Sequence, residues 1–253
     1  MTGKEELGTL IVTGASRGIG AAVARLAAER GWAVAVNFCT GAAEAQKATS
    51  KIVAGGGRAQ AIRADVSRED EILHLFQAAE SKLGPIKGLV NNAGITGGFA
   101  RVEDVTAAAI EKTFAVNVTG AILCAREAVR RMSTRRGGTG GAIVSVSSLA
   151  AQTGAAGEWV QYAASKGAIE SFTIGLAREV ATEGIRVNAV SPGLTETDLH
   201  TANGEPGRLQ RLMPTIPMRR AGLPHEIAEG VLWLLSPAAS YVTGAILQIG
   251  GGR

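Results

Sequence analysis

Apolar runs of strand length alternate along the chain with longer stretches of helical period. Seven short runs read as strands: Thr9–Thr13, Trp32–Asn37, Arg58–Arg63, Lys87–Asn91, Gly141–Ser147, Ile185–Ser191 and Ile246–Ile249. Several are nearly continuous in Val, Ile and Leu, as strands covered on both faces require. Between them, Ile19–Arg30, Ala42–Ala54, Arg68–Lys82, Val102–Met132, Trp159–Thr182 and His225–Leu235 carry a helical pattern. The alternation predicts right-handed crossovers and an α/β doubly wound parallel sheet, a Rossmann fold with helices on both faces. No linker or fixed-period repeat interrupts it, so residues 1–253 read as one domain.

One segment departs from the rhythm. Residues 191–223 contain Pro192, Pro206, Pro214, Pro217 and several glycines. A long irregular connection after a strand lies where open α/β sheets place their ligand crevice. It reads as a substrate lid with a short helix near Arg208–Met213; a solvated surface excursion is the alternative.

Composition narrows the classes. Of 253 residues, 46% are hydrophobic, which excludes a disordered chain, and only 4% are aromatic, so the core must be aliphatic and closely packed. The formal charge of +4 is spread thinly. Its one dense cluster, Arg130, Arg131, Arg135 and Arg136, reads as a solvated helix end rather than a nucleic-acid patch. Cys39 and Cys124 lie far apart, and His74, His200 and His225 lack ligand spacing, so no metal is expected. No apolar run approaches the ~18 residues of a membrane span. The opening Met1-Thr-Gly-Lys-Glu-Glu shows no signal-peptide pattern, and the expected compartment is a reducing cytoplasm.

The first strand runs into Thr13-Gly14-Ala15-Ser16-Arg17-Gly18-Ile19-Gly20, with a helical pattern directly behind it. Gly14 permits the turn, Gly18 admits phosphate oxygens, and Gly20 lets helix and sheet pack closely. Free N–H groups and the positive helix end then face an anion, so Gly14, Ser16, Arg17, Gly18, Ile19 and Gly20 are candidate pyrophosphate contacts. The second strand ends at Asn37-Phe38-Cys39-Thr40, without the acidic residue that would hold a ribose 2′-OH. Arg17 offers a charge-assisted partner for a 2′-phosphate. Both features favour NADP (NADPH) over NAD, although the neutral Asn37 does not exclude NAD. Asp65 and Val66 end the third strand, where a carboxylate can accept from an adenine amino group. Asn91, Ala93 and Gly94 fall in the small-residue end of the fourth. Taken alone, each is as consistent with a turn or cap role.

Tyr162 and Lys166 are four residues apart, so on a helix they share a face. A free phenol has a pKa of about 10, and lowering it three units takes about 4 kcal/mol of phenolate stabilisation. A nearby ammonium is one source. A phenol so tuned can donate a proton to a carbonyl oxygen as hydride reaches the carbon, and reclaim it in reverse.

Thr13–Gly20, Asn91–Gly94, Asn117, Ser148, Tyr162/Lys166 and Pro192-Gly193 occur in the order of the short-chain dehydrogenase/reductase family. The chain resembles that family over essentially its whole length, in the compact form that includes 3-ketoacyl-carrier-protein reductases and glucose dehydrogenases. It is most similar to a bacterial branch carrying Gly157-Glu158-Trp159-Val160 before the tyrosine. The resemblance implies an oxidoreductase acting on a small carbonyl or alcohol. Tyr162 would be the general acid/base, Lys166 would tune it and hold the nicotinamide ribose, and Ser148 would bind the substrate oxygen. Asn117 would hold a relay water. Val116-Asn117-Val118-Thr119 also sets poor helix formers inside a long helical pattern, so a local break is expected there; a satisfied core asparagine is the bland alternative.

Pro192, Gly193, Thr195 and Thr197 would hold the carboxamide. The interval from Ser148 to Tyr162 is one residue longer than the family's usual spacing, with the extra residue expected in Ala155–Val160 and Ser147 as the fallback serine. Trp159, Gly97, Phe99, Gln152 and Met213 are pocket candidates by position. Glu183 argues against a carrier-protein substrate and Arg135/Arg136 argue for one. Family members usually form homotetramers, which is expected here. A catalytically silent nucleotide-binding regulatory or scaffold protein is the rival reading.

Overall fold

The computed structural model describes residues 7–197 and 207–253. Its centre is a seven-stranded, all-parallel sheet in the order β3-β2-β1-β4-β5-β6-β7. The strands are β1 (Thr9–Val12), β2 (Ala33–Phe38), β3 (Arg58–Arg63), β4 (Ile86–Asn91), β5 (Gly141–Val146), β6 (Ile185–Pro192) and β7 (Ile246–Ile249). Strand order reverses between β1 and β4, which opens a crevice at the carboxyl ends of the strands.

Side chains alternate along β1. Leu10 and Val12 face one aliphatic core and Ile11 the other. The first core is closed by α1 (Gly18–Glu29), α2 (Ala42–Ala54) and a C-terminal helix, Pro224–Leu235. The second is closed by α3 (Glu69–Leu83), α5 (Ala121–Met132) and α7 (Val160–Val180). Small residues make room within the sheet: a Cβ on Gly88 of β4 would come within 2.6 Å of Leu10 Cδ1 on the neighbouring β1.

The expected helix over Val102–Met132 is divided. A 3₁₀ turn, Val102–Asp104, precedes α4 (Ala107–Phe114), whose first turn is capped by Thr106 accepting from the Ala109 N–H. A π-helical turn, Ala115–Gly120, then leads into α5. The break falls on the Val116–Thr119 run, as its poor propensity predicts. Ala107–Met132 has 26 residues and is long and apolar enough, by length and composition alone, to cross a membrane. The sequence reading missed this because it counted uninterrupted apolar residues. Here Cys124, Ala125, Ala128 and Met132 are packed into the second core. On α5, the buried Glu127 accepts from Arg130 at 2.7 Å and Arg131 at 2.8 Å, while Arg135 reaches Glu183 at 3.1 Å. Most of the arginine cluster is thus compensated by acids.

A four-residue helix, α6 (Ala150–Thr153), went unpredicted, because four residues carry no period. The described part of the 191–223 segment contains α8 (Arg208–Leu212), close to the expected short helix; residues 198–206, with His200 and Pro206, lie outside the described residues. The C-terminal helix, α9, begins at Pro224, one residue earlier than expected, with Glu226 accepting from the Leu223 N–H at 2.8 Å.

Candidate active site

A cleft of about 630 Å³ lies over the carboxyl ends of β1, β4 and β5, within the size range of small-molecule sites. Gly14, Ser16, Arg17, Gly18 and Ile19 line one end of it. Gly14 has φ +61°, and a Cβ there would come within 2.9 Å of Ala93 Cα, so a side chain is excluded both by conformation and by space. Gly20 does not line the cleft. It packs beneath the turn, where a Cβ would meet Gly14 O at 2.6 Å. Its contribution is the close helix–sheet approach.

Two asparagines and a threonine hold this turn. Asn37 Oδ1 accepts from Gly14 N at 3.2 Å, and its Nδ2 donates to Ile62 O and Ala64 O. Asn37 lines the cleft, but its amide is committed to the backbone. Asn92 Nδ2 donates to Thr13 O at 2.8 Å and Gly14 O at 3.0 Å. Thr13 Oγ1 accepts from the N–H groups of Asn92 and Ala93. Asn91, expected at the cofactor, instead sits in the core, donating to Ala121 O at 2.9 Å; strand alternation turns it away from the cleft and turns Asn92 toward it.

Ala93 and Gly94 line the floor, and Asp65 and Val66 line the far wall. Burial raises the Asp65 carboxyl, but hydrogen bonds from Ser67 and Cys39 outweigh it and hold the group below its ordinary range. Cys39 and Thr40, beyond the end of β2, also face the cleft; sequence reasoning passed over them in looking only for an acid. Pro192, Gly193, Thr195 and Thr197 close the opposite wall. A Cβ on Gly193 would meet Gly250 Cα at 2.7 Å, and one on Gly18 would meet Thr197 Cγ2 at 3.5 Å. Thr197, distant in sequence, therefore stands across from the glycine turn.

Tyr162 and Lys166 lie on one face of α7 and both are buried, at 9% and 4% exposure. Lys166 Nζ donates to Val146 O at 2.7 Å and lies 5.5 Å from the Tyr162 ring centroid. Burial lowers the ammonium to about 8. Burial also raises the Tyr162 phenol, while a hydrogen bond with Ser148 and the charge of Arg208 oppose it. Burial thus drives both groups toward their neutral forms. What lowers the phenol comes from Ser148 and Arg208, not from the lysine expected to supply it.

Ser148 lines the cleft beside the phenol, and its Oγ accepts from Ala150 N at 3.1 Å. The Ser147 hydroxyl points instead to Glu170 Oε1 at 2.9 Å and Lys166 O at 3.3 Å. Asn117 is in the π turn beneath the cleft rather than on its wall. It bridges both backbone groups of Ile95, each at 2.8 Å, and donates to Ser165 Oγ at 2.9 Å. A Cβ on Gly94 would meet Asn117 Oδ1 at 3.3 Å and Lys166 Nζ at 3.5 Å, so the floor is flat directly above these two side chains.

Of the pocket candidates, Trp159 lines the cleft, whereas Gln152 is hydrogen-bonded to Gln248 at 2.8 Å and Gly97 packs on Thr113 and Gln161. Phe99 meets Trp159 edge-on, with centroids 6.3 Å apart. Gly97, Phe99, Gln152 and Met213 are not on the cleft wall. Arg208 and Arg253 are, and sequence reasoning missed both; only the fold brings α8 and Arg253 to this mouth.

The family profile described as enoyl-(acyl-carrier-protein) reductase matches residues 14–253. An uncharacterised oxidoreductase of Escherichia coli, YgfF, is 49% identical, with 96% of this chain and 98% of that protein aligned. A short-chain dehydrogenase of Burkholderia cenocepacia, solved in complex with NADP, superposes with a TM-score of 0.90 at 33% identity, covering 98% of each chain. A 7α-hydroxysteroid dehydrogenase solved with NADH and 7-oxoglycochenodeoxycholic acid gives 0.90 at 34% identity, over 98% of this chain and 94% of that one. With its seven-stranded parallel sheet and its glycine turn facing a buried Tyr–Lys pair, this chain belongs to the short-chain dehydrogenase/reductase family of oxidoreductases.

Proposed function

We propose that this protein is an NADP-dependent oxidoreductase that exchanges hydride between a nicotinamide and a carbonyl or secondary alcohol, with Tyr162 as general acid/base. The carrying observation is that the Tyr162–Lys166 face of α7 opens into the same cleft as the glycine turn. That turn fits a dinucleotide: three positions where a Cβ would strike backbone or distort φ leave bare N–H groups at the start of α1.

A bound nicotinamide dinucleotide supplies the hydride and, when oxidised, a positive ring charge beside the phenol. Ser16, Gly18 and Ile19 would hold its pyrophosphate, with the turn at Gly14 leaving room for it. Asp65 and Val66 would take the adenine, and Pro192, Gly193, Thr195 and Thr197 the carboxamide side. Ser148 would fix the substrate oxygen near the phenol. Tyr162, kept neutral by burial, would donate its proton to that oxygen during reduction. Lys166, anchored on Val146 O, would hold the ribose, and Asn117 would fix the floor that keeps Lys166 in place.

Arg17 supports NADP over NAD: it is exposed at the start of α1, on the cleft wall with Cys39 and Thr40, and no carboxylate follows β2 on that wall. The two solved neighbours contain one NADP and one NADH, so the family leaves the choice to such local residues. The substrate side, walled by Leu149, Trp159 and Leu194, suits an apolar body carrying the carbonyl. The exposed side of α7 carries Ala164, Ser171, Ile174 and Gly175 before the charged Arg178 and Glu179, and an added Cβ at Gly175 meets nothing within 4 Å. Such a smooth face suits close packing on a second copy, in keeping with a homotetramer; a monomer at micromolar concentration in light scattering would contradict it. A cytoplasmic enzyme free of membrane or nucleic acid completes the reading.

The deciding experiment is Tyr162→Phe. It should lower turnover of NADPH on a carbonyl panel by roughly 10²–10⁴-fold while leaving NADPH binding within a few-fold. Unchanged turnover would overturn the mechanism, and no turnover in either protein on any carbonyl would favour the silent binding protein.

A further inference from the structure

Glu158 and Trp159 lie in the loop between α6 and α7, just before the tyrosine. Arg208, the first residue of α8, reaches Glu158 Oε2 at 2.7 and 3.0 Å and lies over the Trp159 ring at 4.2 Å from its centroid. Trp159 in turn meets Tyr162 edge-on, with centroids 6.2 Å apart. The Arg208 and Glu158 side chains are only 11% and 14% exposed, and Trp159 is 3% exposed. Arg211 also pairs with Glu158, at 2.8 Å, but is 51% exposed.

A charge this well covered acts on its neighbours with little solvent screening. Among the described residues, the charged groups around Tyr162 are Lys166 on its own helix, Glu158 on the loop before it, and Arg208 on α8, with Arg17, Asp65 and Lys112 on the walls of the same cleft. Arg253 lines the same cleft from the chain end. Ser148 and Asn117 contribute no charge.

We propose that Arg208 is a positioning residue for the proton step: seated on Trp159 and held by Glu158, its guanidinium sets the proton affinity of the Tyr162 phenol from the substrate-side wall. This rests on the reading of Tyr162 as the acid/base group. The charge of Arg208 favours the phenolate, against burial. Glu158 opposes that effect by neutralising Arg208, and the indole face keeps the guanidinium in place. The two side chains therefore act on the phenol with opposite signs, although they form one ion pair. Because α8 carries the arginine, the position of that helix is linked to the readiness of the phenol to give up its proton.

The sequence makes the test direct. The chain has two tyrosines, and the other, Tyr241, is fully exposed. In a Tyr241→Phe background, with tyrosine labelled by ¹³C at Cζ, NMR follows the titration of Tyr162 alone and needs no substrate. Arg208→Gln should move that titration to higher pH, Glu158→Gln to lower pH, and Arg208→Lys should leave it near the parent. No movement in Arg208→Gln overturns the proposal, and so does movement of both Gln variants in the same direction, the mark of general loosening. If Arg208→Gln does not fold, Glu158→Gln decides alone: a downward shift supports the proposal, and no shift or an upward one overturns it. Failure here is distinct from failure of the catalytic reading, which Tyr162→Phe turnover tests separately.

Discussion

The two ends of the cleft are built on opposite principles. At the glycine-turn end the groups proposed to work are backbone N–H groups, shaped by glycines and braced by Thr13, Asn37 and Asn92, which are hydrogen-bonded to the main chain. At the other end the groups proposed to work are side chains, Tyr162 and Lys166, buried against their preference for water. The first end is stable as built. The second stores unfavourable burial in the resting protein, so stability and activity should respond in opposite senses there and together at the glycine turn.

Lys166→Met breaks the comparison most sharply. The folded ammonium titrates at about 8 against 10.5 for the free group. Between those values the unfolded chain keeps a proton that the native state has released, so stability rises with pH across that window. Below pH 8 the full cost, about 3 kcal/mol, is present. The variant should lose roughly 10²–10⁴-fold in turnover, yet its urea midpoint at pH 7 should be higher than the parent's, offset by about 1 kcal/mol for the unpaired Val146 carbonyl. The gain should shrink toward pH 10. A lower midpoint at pH 7 would show that the lysine is not stored strain.

Gly14→Ala attacks the other end. Its positive φ and the approach to Ala93 should cost about 1–3 kcal/mol, and nucleotide affinity should fall with stability. Thermal unfolding and a fluorescence titration with NADPH would measure both. Retained affinity in a destabilised protein would mean that the turn is structural only.

Arg17→Gln sharpens the nucleotide end without touching its frame. Loss of one charge-assisted contact should lower kcat/KM for NADPH about tenfold and leave NADH nearly unchanged. Equal losses on both would remove the 2′-phosphate from the account. The smallest effect belongs to Ser147→Ala, about 1 kcal/mol in stability through its bond to Glu170, with turnover within a few-fold. Ser148→Ala should lower kcat far more, and the reverse ranking would exchange the two serines' roles.

The strands and most helices were legible because aliphatic residues in a two-sided sheet leave a strong pattern. The glycine turn was legible because close backbone approach admits one residue type. Tyr162 and Lys166 share a helix face, as their spacing requires. Adjacent asparagines were harder. Asn91 and Asn92 are equivalent as letters, and only strand alternation sends one into the core and the other to the turn. Asn37 marks the right place in the chain, but its amide braces the backbone. Arg208 and Arg253 were invisible because no local pattern says where an irregular connection or a chain end comes to rest. Four candidates miss the wall, Gly97, Phe99, Gln152 and Met213, because position in the chain does not fix side-chain direction.

The π turn at Ala115–Gly120 has a consequence for which changes the chain can tolerate. Each residue in a helix turns the chain by about 100°, so the wide turn sets the relative phase of α4 and α5. Thr113 before it and Cys124 after it are both fully buried in the phase that exists. Losing one residue here would tighten the wide turn into an ordinary helical one and pull Asn117 out of its bonds to Ile95. The segment should therefore accept exchanges at the exposed Thr119, but neither a change of length, nor loss of Asn117, nor a side chain at Gly120, where a Cβ would strike the Val66 carbonyl.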